Sequence, residues 1–84
     1  MATLKCVVVR DSALDAFMRP FFAPSLGVAE RSFADEVNRD DSEMGKHPDD
    51  YELYFLGDYL EDFARFLLRD QPQLMSRAKD VVKK

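Results

Sequence analysis

The sequence predicts a small α+β domain, a mostly antiparallel sheet in β-β-α-β-β-α order with two helices packed on it. Three observations lead there. Val7, Val8 and Val9 form a β-branched run near the start, and Ala29, Phe33 and Val37 recur at helical spacing. Two stretches rich in β-formers, residues 51–56 and 63–68, then follow close together. Helices packed on one face of an antiparallel sheet are the natural layering for that order. Residues 1–84 make a single domain, too short for a second core.

Residues 4–10 read as the first strand, and the unbroken apolar stretch Cys6–Val9 implies burial on both faces, as in a central strand. Asp11-Ser12 is a turn signal. Ala16-Phe17-Met18 make a short second strand, ended by Pro20, which has no N–H for a ladder. Pro20-Phe21-Phe22-Ala23-Pro24 is expected to be a rigid apolar connector, since two prolines exclude a helix interior. Ser25 is the expected N-cap of the first helix, whose Ala29, Phe33 and Val37 stripe is flanked by Leu26 and Ala34, with Glu30, Arg31, Asp35 and Glu36 outside it. Residues 39–50 are polar, are broken by Gly45 and Pro48, and read as a surface loop. Residues 51–56 and 63–68 are the next two strands. Residues 57–62 are their hairpin connection, with Gly57 at the turn and the strand free to extend into Tyr59-Leu60. Asp70-Gln71-Pro72 opens a second helix with Pro72 at the permitted first position, and Leu74, Ala78 and Val82 share its inner face. Arg77, Lys79, Lys83 and Lys84 suit the dipole at its C-terminal end.

An apolar content of 46% with seven Phe is enough to fold. A domain this short buries only roughly 60–65% of its unfolded surface and often gains stability by associating. With 12% aromatic residues, a homodimer built from sheet aromatics or the second helix is expected. The single cysteine, Cys6, excludes an intrachain disulfide and a thiolate zinc cluster and fits a reducing cytoplasm. No apolar run approaches the ~18 residues of a membrane span. The first ten residues hold too short an apolar stretch for a signal peptide, so no membrane association is expected and the chain should stay where it is made. A net charge of −4 and a pI near 4.8 disfavour non-specific DNA binding without forbidding a local basic patch.

No catalytic centre, metal site or cofactor is expected. The acidic loop carries Asp40, Asp41, Glu43, His47, Asp49 and Asp50, but no register places a glycine at the sixth position behind correctly spaced acids, so it reads as solvated. His47 has no serine or cysteine beside it as a nucleophile and reads as a turn residue positioned by Pro48. Cys6, inside a valine-rich strand, reads as a packing residue. Tyr51, Tyr54, Phe55, Tyr59, Phe63 and Phe66, with Arg65 and Arg69 nearby, have the composition of a base-stacking surface, yet Glu52, Asp58, Glu61 and Asp62 would repel phosphate. Core and dimer surface is the preferred reading of these rings. Lys5, Arg10, Arg19 and Arg31 are the candidate DNA-contacting cations. The apolar stripe of the second helix either docks on the sheet, which so short a chain favours, or lies against a partner.

Three segments stand out together: Arg19-Pro20-Phe21-Phe22; Ala29-Glu30-Arg31-Ser32-Phe33 leading to Glu36-Val37-Asn38; and His47-Pro48-Asp49-Asp50-Tyr51-Glu52-Leu53 closed by Gly57. In order and spacing they resemble the small nonstructural protein of microviruses, the gokushovirus-type phages with circular single-stranded DNA, over about half the chain. The resemblance implies a non-enzymatic accessory protein in the cytoplasm of the infected bacterial host. Proteins of that family are often labelled DNA-binding, and a part in single-stranded genome synthesis or packaging is inferred for them. The alternative is a homodimeric module that binds a phage or host protein and no DNA. After Gly57 the chain departs from the family pattern. The matching residues also read physically: Pro20 fixes the connector, and Phe21, Phe22 and Phe33 are core. Ala29, Asn38, His47, Pro48, Asp50, Tyr51 and Leu53 are expected to be structural, and Gly57 turns. Arg31 is expected to pair with Asp49 or Asp50 and staple the helix to the loop.

Overall fold

The computed structural model describes residues 3–83 and is organised around one strand. β1 (Thr3–Asp11) pairs along one edge with β4 (Tyr51–Leu60) and along the other with β2 (Ala16–Phe17) and β3 (Phe21–Ala23). β5 (Arg65–Arg77) completes the sheet beyond β4, and every pairing is antiparallel. With α1 (Leu26–Val37) and two single-turn helices, α2 (Glu43–Lys46) and α3 (Ala78–Val81), this is an α+β fold on a small sheet. Val7, Val8 and Val9 are at most 5% exposed, so β1 is buried on both faces, as its unbroken apolar run demands.

The core lies on one side of the sheet. Val7 and Val9 of β1, Ala23 of β3 and Leu53 of β4 pack there against Ala29, Phe33 and Val37 of α1, with Met44 and Ala78 closing the ends. α1 forms where its apolar spacing places it. The Ser25 hydroxyl accepts the Val28 N–H at 3.1 Å, which satisfies one of the unpaired amides of the first turn. At the other end Asn38 works in three directions. Its amide nitrogen donates to the carbonyls of Ala34 (2.8 Å) and Val81 (3.0 Å), and its Oδ1 accepts the Lys83 N–H at 2.7 Å. One side chain thus ties the end of α1 to the end of the chain.

Several expectations are corrected. The segment 20–24 is not only a connector, because residues 21–23 form β3. The flanking prolines stand outside the paired residues and cost the ladder nothing. Alternation then turns Phe21 and Ala23 towards the core and Phe22 away from it, 46% exposed rather than buried. Residues 39–50 are not a plain loop. Ser42 is buried and caps α2, Met44 points inward, and a 3-10 turn follows at Pro48–Asp50. Gly45 lets α2 lie against α1, since a Cβ there would sit 2.3 Å from the Val37 carbonyl oxygen.

Gly57 is not in a turn but inside β4, at a bulge where the register shifts against both neighbouring strands. Its φ is +151°, and a Cβ would come within 2.3 Å of the Leu67 carbonyl oxygen. The strand does extend through Tyr59-Leu60, and the hairpin turn comes after it, with the Phe63 N–H bonded to the Leu60 carbonyl at 3.2 Å. The second helix shrinks to α3, and residues 70–77 continue β5. Among the described residues β5 pairs in the sheet only with β4, and at such an edge a proline is tolerated, so Pro72 signals a strand irregularity and not a helix start. Leu74 lies in a strand and Ala78 alone of that stripe is buried; the dipole argument lapses with the long helix, and Lys84 lies outside the described residues. Arg31 is exposed on the outer surface of α1 and makes no ion pair among the described residues. The connection is held instead at Asp50, whose carbonyl accepts both the N–H (2.8 Å) and the hydroxyl (3.0 Å) of Ser12.

Two substitutions test this frame. Gly57→Ala should cost about 3 kcal/mol or more, because a disfavoured φ and a backbone clash add. Asn38→Ala, which leaves the Val81 carbonyl and the Lys83 amide without their partner, should cost about 1–3 kcal/mol. Urea unfolding reads both, and a midpoint unchanged by either substitution contradicts the role given to that residue.

Candidate functional site

Every second residue of the central strands points away from the helices. On that side Cys6 and Val8, each 3% exposed, form an apolar floor in the middle of β1. Aromatic rings from the neighbouring strands wall it in. Phe17 meets Tyr54 edge to face, with centroids 5.7 Å apart. Phe22, Tyr59 and Phe66 form a triangle with centroid separations of 5.5, 6.2 and 4.9 Å. These rings cover the floor at a cost in their own exposure, for Phe17, Phe22 and Phe66 are half open to solvent and Leu68 is more so. The helices occupy the other face, so among the described residues the sheet carries a second apolar surface that no helix covers.

The bulge at Gly57 makes this surface. Tyr54 and Tyr59 are five residues apart, and in a regular strand they would face opposite ways. Leu56 is the extra residue: Val7 pairs with Phe55 and Cys6 with Gly57, so Tyr54 (opposite Val8) and Tyr59 (opposite Leu4) fall on the same side.

The charges of this face are paired locally. Arg10 binds the Asp15 carboxylate, and Arg77 Nε lies 3.3 Å from Glu52 Oε2. The Tyr54 hydroxyl donates to Glu52 Oε1 at 3.0 Å. Burial, followed by that hydrogen bond and the Glu52 charge, raises the Tyr54 pKa above its ordinary value. Burial likewise raises the Cys6 thiol, which keeps it protonated and unreactive.

The cations singled out in the sequence are not brought together. Lys5 and Arg10 are five residues apart on a regular strand and emerge on opposite faces, Lys5 bonded to Asp58 at 2.9 Å. Arg19 is exposed between β2 and β3, and Arg31 stands on the outer side of α1. Arg69 and Lys5 each lie 5.8 Å from the centre of the Phe55 ring, on the helix side of the sheet. The aromatics are divided as well. Tyr51 and Phe55 pack against the core, Tyr54, Tyr59 and Phe66 join the open face, and Phe63 is exposed after the turn. Phe17 and Phe22 complete that face without having been singled out for it; the signal was the alternation Phe21-Phe22-Ala23, legible only once that segment is a strand.

The residues of the three sequence segments are mostly framework. Pro20 leads into β3, Ala29, Phe33 and Leu53 are buried, and Tyr51 packs on the core. His47 ends α2, exposed and 3.9 Å from Glu43, Pro48 opens the 3-10 turn, and the Asp50 N–H returns to the His47 carbonyl at 3.0 Å. In the acidic stretch Asp41 pairs with Lys46 at 3.2 Å. Among the described residues no three His, Cys, Asp or Glu side chains converge on one point, and no helix is long and apolar enough to cross a membrane.

A protein-family model described as Phage ORF5 protein matches residues 4–81, and the chain belongs to that family. No curated protein and no solved structure matches it.

The Tyr54–Glu52 contact makes a pH prediction. A folded-state pKa raised above the unfolded value contributes stability in full below the ordinary tyrosine value of about 10 and loses it as pH climbs through the raised value. In Glu52→Gln the carboxylate no longer opposes ionisation, so tyrosinate absorbance should appear at lower pH than in the wild type. Superimposable alkaline titration curves would show that Glu52 has no hold on Tyr54.

Proposed function

We propose that this phage ORF5 protein is a non-enzymatic accessory protein of a microvirus-type, single-stranded DNA phage, acting in the cytoplasm of the infected bacterium. It works by docking the open aromatic face of its sheet on a protein surface in the course of genome synthesis or packaging. One observation carries this reading: half-exposed rings share a face with charges that are already paired, Arg10 with Asp15 and Arg77 with Glu52. Protein interfaces are enriched in exposed aromatics, with charge depleted at the centre. Binding of single strands uses similar rings, but with unpaired cations tracking the phosphates beside them. Here Lys5, Arg65 and Arg69 lie towards the helix side, with Arg65 opposite Leu60, away from the rings.

A second reading, direct contact with single-stranded DNA, is favoured by the row Phe22, Tyr59 and Phe66, whose ring faces are suited to stacking bases. Fluorescence anisotropy of a labelled oligonucleotide separates the two. Docking on protein predicts at most micromolar binding at low salt, erased by about 0.15 M salt with a slope of roughly 0.7 per released counterion. Tight binding that persists in salt and disappears in Tyr59→Ala would replace protein docking by base stacking.

A further inference from the structure

We infer that the occupant of the open face is a second copy of this chain, packed sheet against sheet about a twofold axis; this rests on the docking reading above and names its partner. A twofold contact sets one surface against itself, so that surface must be close to neutral and self-complementary. The face meets this condition. Its cations Arg10 and Arg77 are balanced by Asp15 and Glu52, although the whole chain carries −4. The acid excess therefore lies elsewhere, largely on α1 and the stretch after it, where Asp35, Asp40, Asp41, Glu43 and Asp49 are exposed. A strongly basic partner gains little from a balanced face, whereas a second balanced face meets no repulsion.

The area also fits. Phe17, Phe22 and Phe66 are half exposed, Leu68 and Leu74 are open beside them, and Tyr54 and Tyr59 are partly so. At roughly 150–250 Å² for each large ring, these side chains offer several hundred Å² of apolar surface, on the scale of the ~800 Å² that each partner contributes to a stable complex. Two sheets packed face to face lie about 10 Å apart, and here the rings of one face would meet the rings of the other. The result has four layers, helices outside and sheets within, and it covers the outer edges of the rings that the chain leaves exposed.

Sedimentation equilibrium at micromolar concentration should give twice the 9.7 kDa chain mass. Phe66→Glu and the milder Phe66→Ser and Phe22→Ser should weaken the dimer at least about 30-fold while far-UV circular dichroism stays native. Leu67→Glu, exposed on the opposite face of the same strand, should leave the dimer intact. A wild-type protein that stays monomeric, or a dimer that survives all three face substitutions, overturns the inference. A monomer without oligonucleotide binding overturns self-pairing alone and leaves docking on another protein standing. Salt-resistant oligonucleotide binding overturns the docking reading beneath it.

Discussion

Val7 and Val9 face one side of the sheet and Val8 the other, and each side of β1 has to be kept from water. Burying a side chain of this size is worth about 1.5–3 kcal/mol, so three adjacent valines and Cys6 make β1 the most valuable strand in a thin core. On one side the cover is a helix layer, with Ala29, Phe33 and Val37 of α1 lying on Val7 and Val9. On the other side the cover is lateral, built from aromatic side chains that lean in from β2, β3, β4 and β5. A lateral cover hides the floor while leaving its own outer edges exposed. The open aromatic face is thus a consequence of giving a doubly buried strand only one layer of helix.

Three small or polar residues let these layers close. Gly45 admits the Val37 carbonyl, Gly57 admits the backbone of Leu67 and Leu68, and Asn38 satisfies groups at the end of α1 and at Val81 and Lys83 at once. Gly57 has a second effect. By allowing the bulge it changes the side on which every later residue of β4 emerges, and it sets Tyr59 beside Phe22 and Phe66. Its presence in the family-like segment is explained by fold and by surface together, since the same kink that seats β5 assembles the rings.

What could be read from the sequence follows from how local each signal is. β1 and α1 were legible because periodicity and a cap agree there: the valine run, the spacing of Ala29, Phe33 and Val37, and the Ser25 hydroxyl all act within a few residues. Residues 70–77 misled because Pro72 is equally at home in the first turn of a helix and in an edge strand, and only the pairing with β4 decides. Phe22 was misplaced for the same reason, as its side of the sheet is undefined until β3 pairs with β1. The ring face was legible in its composition and not in its membership. Which tyrosines share it depends on the one-residue bulge of β4 against β1, a property of paired strands that no spacing along one segment contains.

The arrangement of charge along the face bears on where any contact is centred. Exposed ion pairs contribute about 0–1 kcal/mol each, so the pairs Arg10–Asp15 and Arg77–Glu52 do little to hold the sheet together. Their larger effect is to cancel charge at the end of the face where Phe17 and Tyr54 stand. The opposite end, with Leu4, Phe22, Tyr59 and Phe66, carries no charged side chain on that side of the paired strands. Covering the charged end fully would strip water from four ionised groups, an expense of several kcal/mol per ion that their pairing only partly offsets. Covering the ring triangle removes apolar surface and leaves the ions at a solvated rim. The energetics therefore put the centre of the contact over Phe22, Tyr59 and Phe66 and its margin at Arg10 and Arg77, the distribution in which buried rings supply affinity and peripheral ions supply orientation.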